Sequence, residues 1–336
     1  MVQKVAYILI ILDGAALLLS GLVLWKPVQF SLLTILFGGY DTARYIHFLC
    51  MNIMVLFIII HLVMVLLVSA CIVIYDTGSL MKKKRFLSDS DAHYVVKDAE
   101  KILAPDRRRL LQQGLTLGGI MMLTGCDISN NDDIEKALFR ISRFNDRIQS
   151  FLFSKNSVAP EYLPEDITTP FPFNAFYGEE EIPVIDGQDY KLEIRGLVRD
   201  NRNWFLSELY NMQHVSQITR HICVEGWSAI GKWGGIPFRH FLTLIGADMR
   251  AKYVSFRCVD GYYTSIDMAT ALHSQTLLTL TWNNRVLPKE YGYPIKIRIP
   301  TKLGYKNPKH VQVIEVTNHF PGGYWEDQGY NWFGGC

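Results

Sequence analysis

The chain has 336 residues, of which 49% are apolar, and it carries 34 basic and 32 acidic side chains, a formal net charge of +2. That balance shows no preference for a polyanion, so nucleic acid is excluded as a leading partner. Residues 45–75 contain no Asp, Glu, Lys or Arg, whereas the chain beyond Cys126 has the composition of an ordinary globular protein. A purely soluble protein is therefore excluded, and the length favours about two domains.

The apolar first third predicts a transmembrane helical hairpin over residues 1–81. Val5 to Trp25 contains one charged residue and is long enough to cross a hydrocarbon core of about 30 Å. A Gly-Gly-Tyr turn at 38–40 separates it from the uncharged run 45–75. The basic cluster at 82–85 follows directly, and the positive-inside rule assigns it, and with it the N-terminus, to the cytoplasm.

Two histidines stand out in the second predicted span. His47 and His61 are 14 residues apart (61 − 47), which is about 1400° of helix and within about 40° of a whole number of turns. Both imidazoles are therefore expected on one helix face, about 21 Å apart along the axis. Such a pair predicts one axial ligand for each of two stacked b haems. The alternative is a histidine that hydrogen-bonds between helices or lies among lipid headgroups.

The sequence GLVLWKPVQFSLLTILFGGYDTARYIHF, residues 21–48, together with the continuation to His61, resembles the last two helices of the bacterial cytochrome b561 family. In that four-helix family the fourth helix supplies two haem ligands at this spacing. The first two helices, which carry the opposing ligands, have no counterpart in this chain. The resemblance therefore implies haem b shared with a separate membrane cytochrome subunit, and electron exchange with the quinone pool.

A third apolar stretch lies at 110–126, after a polar connector at 82–109 that is predicted to be cytoplasmic. Three arginines at 107–109 precede it, and Leu-Thr-Gly-Cys ends it at Cys126. One interpretation is an export signal that resembles a twin-arginine signal and ends in a lipoprotein cleavage box. The other is a short, uncleaved third transmembrane helix. Both interpretations place residues 127–336 in the periplasm, outside a bacterial inner membrane.

The predicted periplasmic part begins with an amphipathic pattern over residues 130–150. Its apolar residues recur at helical spacing and predict a helix packed on the surface of the domain. They are Ile134, Ala137, Leu138, Ile141, Phe144 and Ile148. Beyond Val158 the chain is punctuated by prolines, and residues 192–198 and 253–259 have the pattern of strands. Mixed α and β structure is expected.

Cys223 is the main candidate for chemistry in this part of the chain. Its neighbours Arg220 and His221 are cationic or can become so, and positive charge favours the thiolate that binds metal or attacks a substrate. A buried structural cysteine is the commoner explanation for such a residue. A cysteine protease is a further alternative, but no papain-like or caspase-like signature surrounds this position.

Three separated segments carry a second resemblance: RHICVEGWSAIGKWGGIPF, AKYVSF and LPKEYGYPIKIRIPTKLGYKNPKHVQVIEV. They resemble the sulfite oxidase family of molybdopterin oxidoreductases, and within it the periplasmic methionine-sulfoxide reductases of bacteria. The resemblance implies an α+β fold of the sulfite oxidase type over 127–336. It also implies a molybdenum-molybdopterin cofactor whose metal is bound by the Cys223 thiolate.

The same resemblance implies contacts to the pterin cofactor at a set of matching positions. These are Asn174, Tyr177, Gly178, Cys258, Tyr291, Lys296, Asn307, Pro308 and Lys309. Three of them depart from the family pattern: Gly178 replaces a glutamate, Cys258 a threonine and Tyr291 an asparagine. Lys296 keeps a positive charge that suits the pterin phosphate. Tyr262 and Tyr263 match the region over the active site, where they either donate to a substrate oxygen or only pack.

The residues after the metal-binding cysteine indicate the substrate. Sulfite oxidases have an arginine pair there that holds the sulfite dianion, whereas this chain has Val224 and Glu225. A carboxylate disfavours an anionic substrate, while Arg220 and His221 remain candidates to bind an oxo group. We expect a membrane-anchored enzyme that reduces a small, neutral oxo substrate such as a sulfoxide. The alternatives are a sulfite dehydrogenase that passes electrons to haem, and an electron-transfer or anchoring subunit with a vestigial molybdenum domain.

Overall fold

The computed structural model describes residues 2–84, 132–152 and 154–336. Most of the connector and the whole third apolar stretch, including Cys126, lie outside the described residues, so the predictions made for them stay predictions. The chain forms two compact units. One comprises residues 1–21 and 41–138, and the other comprises residues 22–40 and 139–336.

Two helices match the predicted membrane spans. Helix α1 covers Val2–Trp25, the short helix α2 covers Ser31–Leu36, and helix α3 covers Tyr40–Lys84. By length and composition Val5–Trp25 and Tyr40–Leu67 can each cross a bilayer, with mean hydropathies of 2.3 and 2.8. The turn before α3 depends on Gly38 and Gly39, whose φ angles of +74° and +102° strain other residues.

The segment between the two spans belongs to the same unit as the C-terminal domain. Lys26 Nζ donates to the carbonyl oxygen of Gly335 at 2.5 Å. Gln29 and Ser154 exchange two hydrogen bonds, of 3.1 Å and 3.0 Å. Tyr40 is buried in a small apolar cluster with Val28, Ala159, Ile222 and Cys336. The chain between the spans is thus folded onto the domain that contains Cys223.

Helix α4, Asp132–Leu152, forms where the amphipathic pattern predicts a helix, but its apolar side faces outward. Ile141 and Phe144 are 64% and 62% exposed, whereas Asp146 and Gln149 are only 4% and 5% exposed. The expectation that apolar residues pack this helix onto the domain is therefore wrong. Its polar side makes the contact, because the Asp146 carboxylate accepts hydrogen bonds from Asn331, the Phe333 amide and Arg143.

Two five-stranded sheets form the core of the domain. The first has the order β2-β1-β10-β5-β6 and is antiparallel apart from the parallel pair β1 and β10. Its strands are β1 Lys191–Gly196, β2 Trp204–Phe205, β5 Tyr253–Cys258, β6 Tyr263–Asp267 and β10 Val311–Thr317. The strands predicted at 192–198 and 253–259 correspond to β1 and β5. The second sheet has the order β3-β4-β7-β8, with β9 also paired to β7. Its strands are β3 Val215–Ile222, β4 Ser228–Pro237, β7 Leu277–Trp282, β8 Arg285–Val286 and β9 Lys296–Arg298.

Short helices connect the strands and complete the mixed fold. The α-helical ones are α5 Leu206–Tyr210, α6 Phe238–Leu244 and α7 Met268–Ala271. Four single 3₁₀ turns lie at Pro164–Asp166, Glu179–Glu181, Lys289–Tyr291 and Gly304–Lys306. The main apolar core joins α6 to both sheets and includes fully buried Phe238, Phe256 and Ile314. The predicted α+β class with an N-terminal helical hairpin is confirmed.

Candidate active site

Cys223 lies in the tight connection between β3 and β4. Its amide donates to the Trp227 carbonyl oxygen at 2.9 Å, and the Gly226 amide donates to the Cys223 carbonyl oxygen at 3.2 Å. Gly226 has a φ of +92°, a left-handed conformation that glycine adopts without strain. These bonds fix the cysteine at the end of a paired strand, where its side chain, with the residue 7% exposed, lines a cavity.

Glu225 controls the surroundings of the Cys223 thiol. The thiol Sγ lies 3.7 Å from Glu225 Oε2, and the same oxygen accepts a 2.8 Å hydrogen bond from Trp227 Nε1. Burial, together with the negative charge of Glu225, raises the pKa of the thiol. The expectation that the neighbouring cations favour the thiolate is therefore wrong for the protein alone. A coordinated metal reverses this preference, since a coordinating thiol is deprotonated.

Arg220 and His221, which precede Cys223 in the chain, point in different directions because successive side chains alternate along β3. Arg220 donates to Tyr162 Oη at 3.1 Å and to Ser228 Oγ at 2.9 Å, and it does not line the cavity. His221 is 1% exposed, and its Nε2 has no hydrogen-bond partner among the described residues. Burial, with the nearby charge of Arg298, lowers the pKa of His221 well below its ordinary value, so the imidazole is neutral.

The cavity beside Cys223 gathers residues from widely separated parts of the chain. Its lining comprises Asn174, Ala175, Phe176, Cys223, Val224, Glu225, Asp260, Tyr262, Gly304, Tyr305, Asn307, Pro308, Lys309, Trp325 and Tyr330. Six of these residues were expected at the site: Asn174, Cys223, Tyr262, Asn307, Pro308 and Lys309. The early segment at 174–176 and the loop at 304–309 therefore meet at the cysteine, as the family resemblance implies.

Three buried basic residues lie at the cavity: Lys309 lines it, and Lys296 and Arg298 bond to Asn307 of the lining. Lys296 and Arg298 are 2% and 0% exposed, and Lys309 is 9% exposed. Lys296 Nζ donates to the Asn307 carbonyl oxygen, Lys309 Nζ to the Glu290 carbonyl oxygen, and Arg298 to Asn307 Oδ1. Burial lowers the pKa of Lys309 to about 8 and that of Arg298 to about 9, and it lowers that of Lys296 strongly.

These cations test whether the residues fit a pterin cofactor. Positive charge is costly to bury, and Lys296, Lys309 and Arg298 make their hydrogen bonds to uncharged groups. A phosphate group at this position would supply the missing negative charge. The unpaired Nε2 of His221, behind Cys223, is a further polar atom without a protein partner among the described residues. Both observations fit a phosphorylated pterin that carries a thiolate-bound metal.

The other residues expected to contact the cofactor lie outside the lining of the cavity. Tyr177 donates to Asp260 Oδ2 at 2.9 Å, at the edge of the cavity. Cys258 is buried at the end of β5, and burial raises the pKa of its thiol far above the ordinary value. Gly178 precedes the turn Glu179–Glu181 and does not line the cavity. The Tyr291 hydroxyl donates to the Phe171 carbonyl oxygen at 3.0 Å, outside the lining.

The two tyrosines expected over the active site are both engaged with protein groups. Tyr262 lines the cavity, and its hydroxyl donates to the Tyr305 carbonyl oxygen at 2.6 Å. Tyr263 donates to Asp327 at 2.8 Å and lies outside the lining. Both hydroxyls therefore already donate within the protein, and donation to a substrate oxygen stays a prediction.

Several residues of the site were not anticipated. Asp260 and Trp325 line the cavity, and Arg298 bridges β9 to Thr219 and to the Asn307 side chain. Close by, Lys306 and Glu326 form a buried ion pair whose side chains are 1% and 3% exposed. The alternation in Lys-Ile-Arg of β9 shows that its two cations share a side, but only the fold shows which side.

The histidine pair lies in the other unit. His47 Nδ1 lies 3.0 Å from Ser20 Oγ and 3.1 Å from the Leu17 carbonyl oxygen on α1. A β-carbon at Gly21 would lie 3.2 Å from the His47 ring, so glycine makes room for the imidazole. His61 is exposed on α3 and stacks on Phe57 at 5.7 Å. A contact through Nδ1 leaves Nε2 of His47 available for iron, the arrangement common in histidine–metal sites.

Comparison with known proteins gives two matches to family models. The Oxidoreductase molybdopterin binding domain matches residues 179–325, and Prokaryotic cytochrome b561 matches residues 1–72. A protein of Azospira oryzae named as protein-methionine-sulfoxide reductase subunit YedZ1 is 56% identical over 259 residues, which cover 76% of this chain and 98% of that protein.

More distant relatives share only the catalytic part. The protein-methionine-sulfoxide reductase catalytic subunit MsrP of Ralstonia nicotianae is 26% identical over 52% of this chain, and that of Campylobacter jejuni is 27% identical over 41%. The chain spans 61% and 52% of these two proteins. The sulfane dehydrogenase SoxCD of Paracoccus pantotrophus superposes with a TM-score of 0.39 at 19% identity, over 41% of this chain and 40% of that one.

Proposed function

Since the chain belongs to the sulfite oxidase family of molybdopterin oxidoreductases and carries a cytochrome b561 segment, we propose that it is a membrane-bound reductase of methionine sulfoxide or a similar neutral oxo compound. The observation that carries the choice of substrate is the 3.7 Å separation of Cys223 Sγ and Glu225 Oε2. Electrons come from quinol through membrane haem b.

The proposed cofactor contacts follow the cavity lining. Cys223 would hold the metal, and the lining segment 174–176 and Asn307 would hold the pterin. Lys309 in the lining, with Lys296 bonded to the Asn307 carbonyl oxygen, would neutralise the phosphate. When bound, the molybdenum cofactor supplies two-electron redox chemistry and oxygen-atom transfer. Cys258 contributes a weaker hydrogen bond than the threonine of its relatives, because a thiol donates poorly.

Glu225, in the lining of this cavity, selects against anions. Two unit charges 4 Å apart repel by about 4 kcal/mol at an effective dielectric constant of 20. A sulfite dianion near Cys223 meets that repulsion, whereas a sulfoxide carries no net charge. Trp227 holds the carboxylate in place through Nε1, so the charge is fixed beside the metal-binding position.

The remaining lining suits a thioether side chain. Phe176, Trp325 and Tyr330 present aromatic surface to the cavity, and methionine sulfur packs well against aromatic rings. The overall reaction is R₂SO + 2H⁺ + 2e⁻ → R₂S + H₂O. Its two protons require a donor at the cavity wall, where Asp260 is the carboxyl group besides Glu225.

The electron path begins at the histidine pair. His47 and His61 would each bind the iron of one b haem, which would carry electrons, and a separate membrane subunit would supply the other ligands. The contacts of His47 Nδ1 with Ser20 and Leu17 orient its ring so that Nε2 is the ligand atom.

The topology supports a periplasmic catalytic domain. The positive-inside rule assigns Lys82–Lys84, at the end of α3, to the cytoplasm. Helix α3 then begins on the periplasmic side, and the segment that joins it to α1 lies on that side as well. That segment packs on the catalytic domain through Lys26 and Gln29. A domain on the periplasmic side then requires the chain to cross the membrane again between residues 85 and 131. The apolar stretch 110–126 lies in this range, and its length suits only a short helix or an export signal.

The test is a dye-coupled assay on the molybdenum-loaded complex. We expect methionine sulfoxide to oxidise a reduced viologen dye, with one molybdenum per chain by metal analysis and little turnover of sulfite. Rapid oxidation of sulfite without reduction of methionine sulfoxide would overturn the substrate. Correctly localised protein without molybdenum would leave only an electron-transfer or anchoring role.

A further inference from the structure

Helix α4 presents an apolar stripe to its surroundings. Ile141, Phe144, Ile148 and Phe151 follow one another at intervals of three, four and three residues, so at about 100° per residue they share one side. Their exposed fractions are 64%, 62%, 38% and 88%. Four large apolar side chains on one side of a surface helix form a patch of the kind that marks an interaction surface.

The polar side of the helix fixes this orientation. Asp146 accepts hydrogen bonds from Asn331 Nδ2 at 2.9 Å and from the Phe333 amide at 3.2 Å. Arg143 binds the same carboxylate and lies 3.8 Å from the centre of the Phe320 ring. Rotation of the helix to bury the stripe would break the contacts to Asn331, Phe333 and Phe320. The stripe is therefore held outward by the fold.

The same helix ends where the chain between the two membrane spans packs on the domain. Ser154, two residues beyond the end of α4, exchanges two hydrogen bonds with Gln29. Gln29 follows the Trp25 and Lys26 that end the first span, and Trp and Lys are typical of the membrane–water interface. The end of α4 is thus tied to the segment that follows the first span in the chain.

Positive charge lies along one edge of the stripe. Arg140 and Arg147 are both on that edge of the helix, and both are exposed. A cavity of about 440 Å³ opens on the arginine side of the helix, with six basic and two acidic side chains in its lining. The basic ones are Lys26, Arg143, Arg147, Lys155, Lys252 and Lys302, and the acidic ones are Asp146 and Asp267.

We propose that α4 lies in the periplasmic interface of the membrane, with its apolar stripe among the lipid acyl chains and its basic edge against anionic phospholipid headgroups. A helix with this division of faces, aromatic on one side and arginine-rich beside it, has the composition of an interfacial helix. Anionic headgroups match the basic excess of the cavity and its edge. A second copy of the same face would instead bring like charges together. The helix thus holds the catalytic domain against the bilayer, independently of the substrate it reduces.

Photo-crosslinking in the full-length chain tests this placement. Phe144 is replaced by p-benzoylphenylalanine, and the protein is reconstituted into vesicles of phosphatidylcholine alone or mixed with phosphatidylglycerol. The matched control carries the same amino acid at Phe205, which is 42% exposed in the short strand β2. After irradiation, mass spectrometry identifies what is attached to each position.

We expect phospholipid adducts at position 144 and a severalfold lower yield at position 205. Phosphatidylglycerol raises the yield at 144, and the double substitution Arg140→Gln/Arg147→Gln removes that rise. Crosslinks from position 144 to a second copy or to another protein would overturn the proposal, as would equal lipid yields at the two positions. No step of this test depends on molybdenum, haem or activity, so its outcome is separate from that of the proposed function.

Discussion

Cys223 Sγ and Glu225 Oε2 lie 3.7 Å apart in the connection between β3 and β4. This pair sets two properties of the site together. The carboxylate helps to keep the thiol protonated in the protein alone, and it places a negative charge where an anionic substrate would enter. Both properties change when the charge of Glu225 is removed.

Removal of that charge is expected to admit anions. In Glu225→Gln, sulfite should inhibit methionine sulfoxide reduction about 10- to 100-fold more strongly, since the variant loses a repulsion of a few kcal/mol. Inhibition constants from the dye-coupled assay measure this. Glu180→Gln, at an exposed position outside the cavity, is the control and should leave sulfite inhibition unchanged. Equal inhibition constants in wild type and Glu225→Gln would contradict the assigned role.

Loss of the metal-binding thiolate is expected to abolish turnover. Cys223→Ala should reduce activity by at least about 100-fold, because substitution of residues that only support a metal ligand already costs up to that much. Cys258→Thr, which restores the residue of the relatives, should retain activity and bind the cofactor at least as well, since a hydroxyl donates better than a thiol. Activity and molybdenum content of both variants check this. Full activity in Cys223→Ala would refute the assignment.

Buried lysines predict an unusual pH dependence of stability in the cofactor-free protein. Burial lowers the pKa values of Lys26, Lys302 and Lys309 to about 8, against 10.5 for the ordinary group. The unfolded chain therefore binds more protons than the folded chain above pH 8, so stability rises with pH. Between pH 8 and 9 we expect a gain of about 1 kcal/mol per lysine.

Denaturant midpoints at these two pH values measure the effect. Above about pH 10 the trend should reverse, because buried tyrosines such as Tyr262 ionise only in the unfolded chain. Lys309→Met should remove about a third of the rise, in line with one lysine of three. Stability that falls steadily from pH 8 to 9 would show that these lysines are not buried in their charged form.

The histidine pair predicts haem that depends on a partner subunit. In the assembled complex, His47→Leu and His61→Leu should each remove one of two b haems, whereas His240→Gln, on the exposed side of α6, should remove neither. Haem content and the α-band of the reduced spectrum report the result. A full bis-histidine spectrum from this chain alone would contradict the shared-ligand arrangement.

The sequence predicts the structure correctly where the local residue pattern alone determines an element or where a known motif gathers the site residues. The two spans follow from uninterrupted apolar length, β1 and β5 from strand patterning, and the site around Cys223 from a motif whose members meet in one cavity. Asn174 and Lys309, 135 residues apart in the chain (309 − 174), line that cavity as the family resemblance implies.

Other features depend on which way a helix or a side chain faces, and the sequence pattern does not determine this. Helical spacing shows that α4 has an apolar side, but the bonds of Asp146 decide that this side faces outward. Likewise Arg220 is adjacent to the site in sequence, yet alternation along β3 turns it towards Tyr162 and Ser228. The effect of Glu225 on the thiol also depends on a distance that only the folded connection sets.

The central claim, that membrane haem feeds the molybdenum site at Cys223, is tested most directly by haem reoxidation in the reconstituted complex. The haem is first reduced with quinol under anaerobic conditions, and methionine sulfoxide is then added while the α-band is followed. We predict rapid reoxidation in the wild type and none in Cys223→Ala. Haem that stays reduced in the wild type, or that becomes reduced when sulfite is added to the oxidised complex, would contradict the claim.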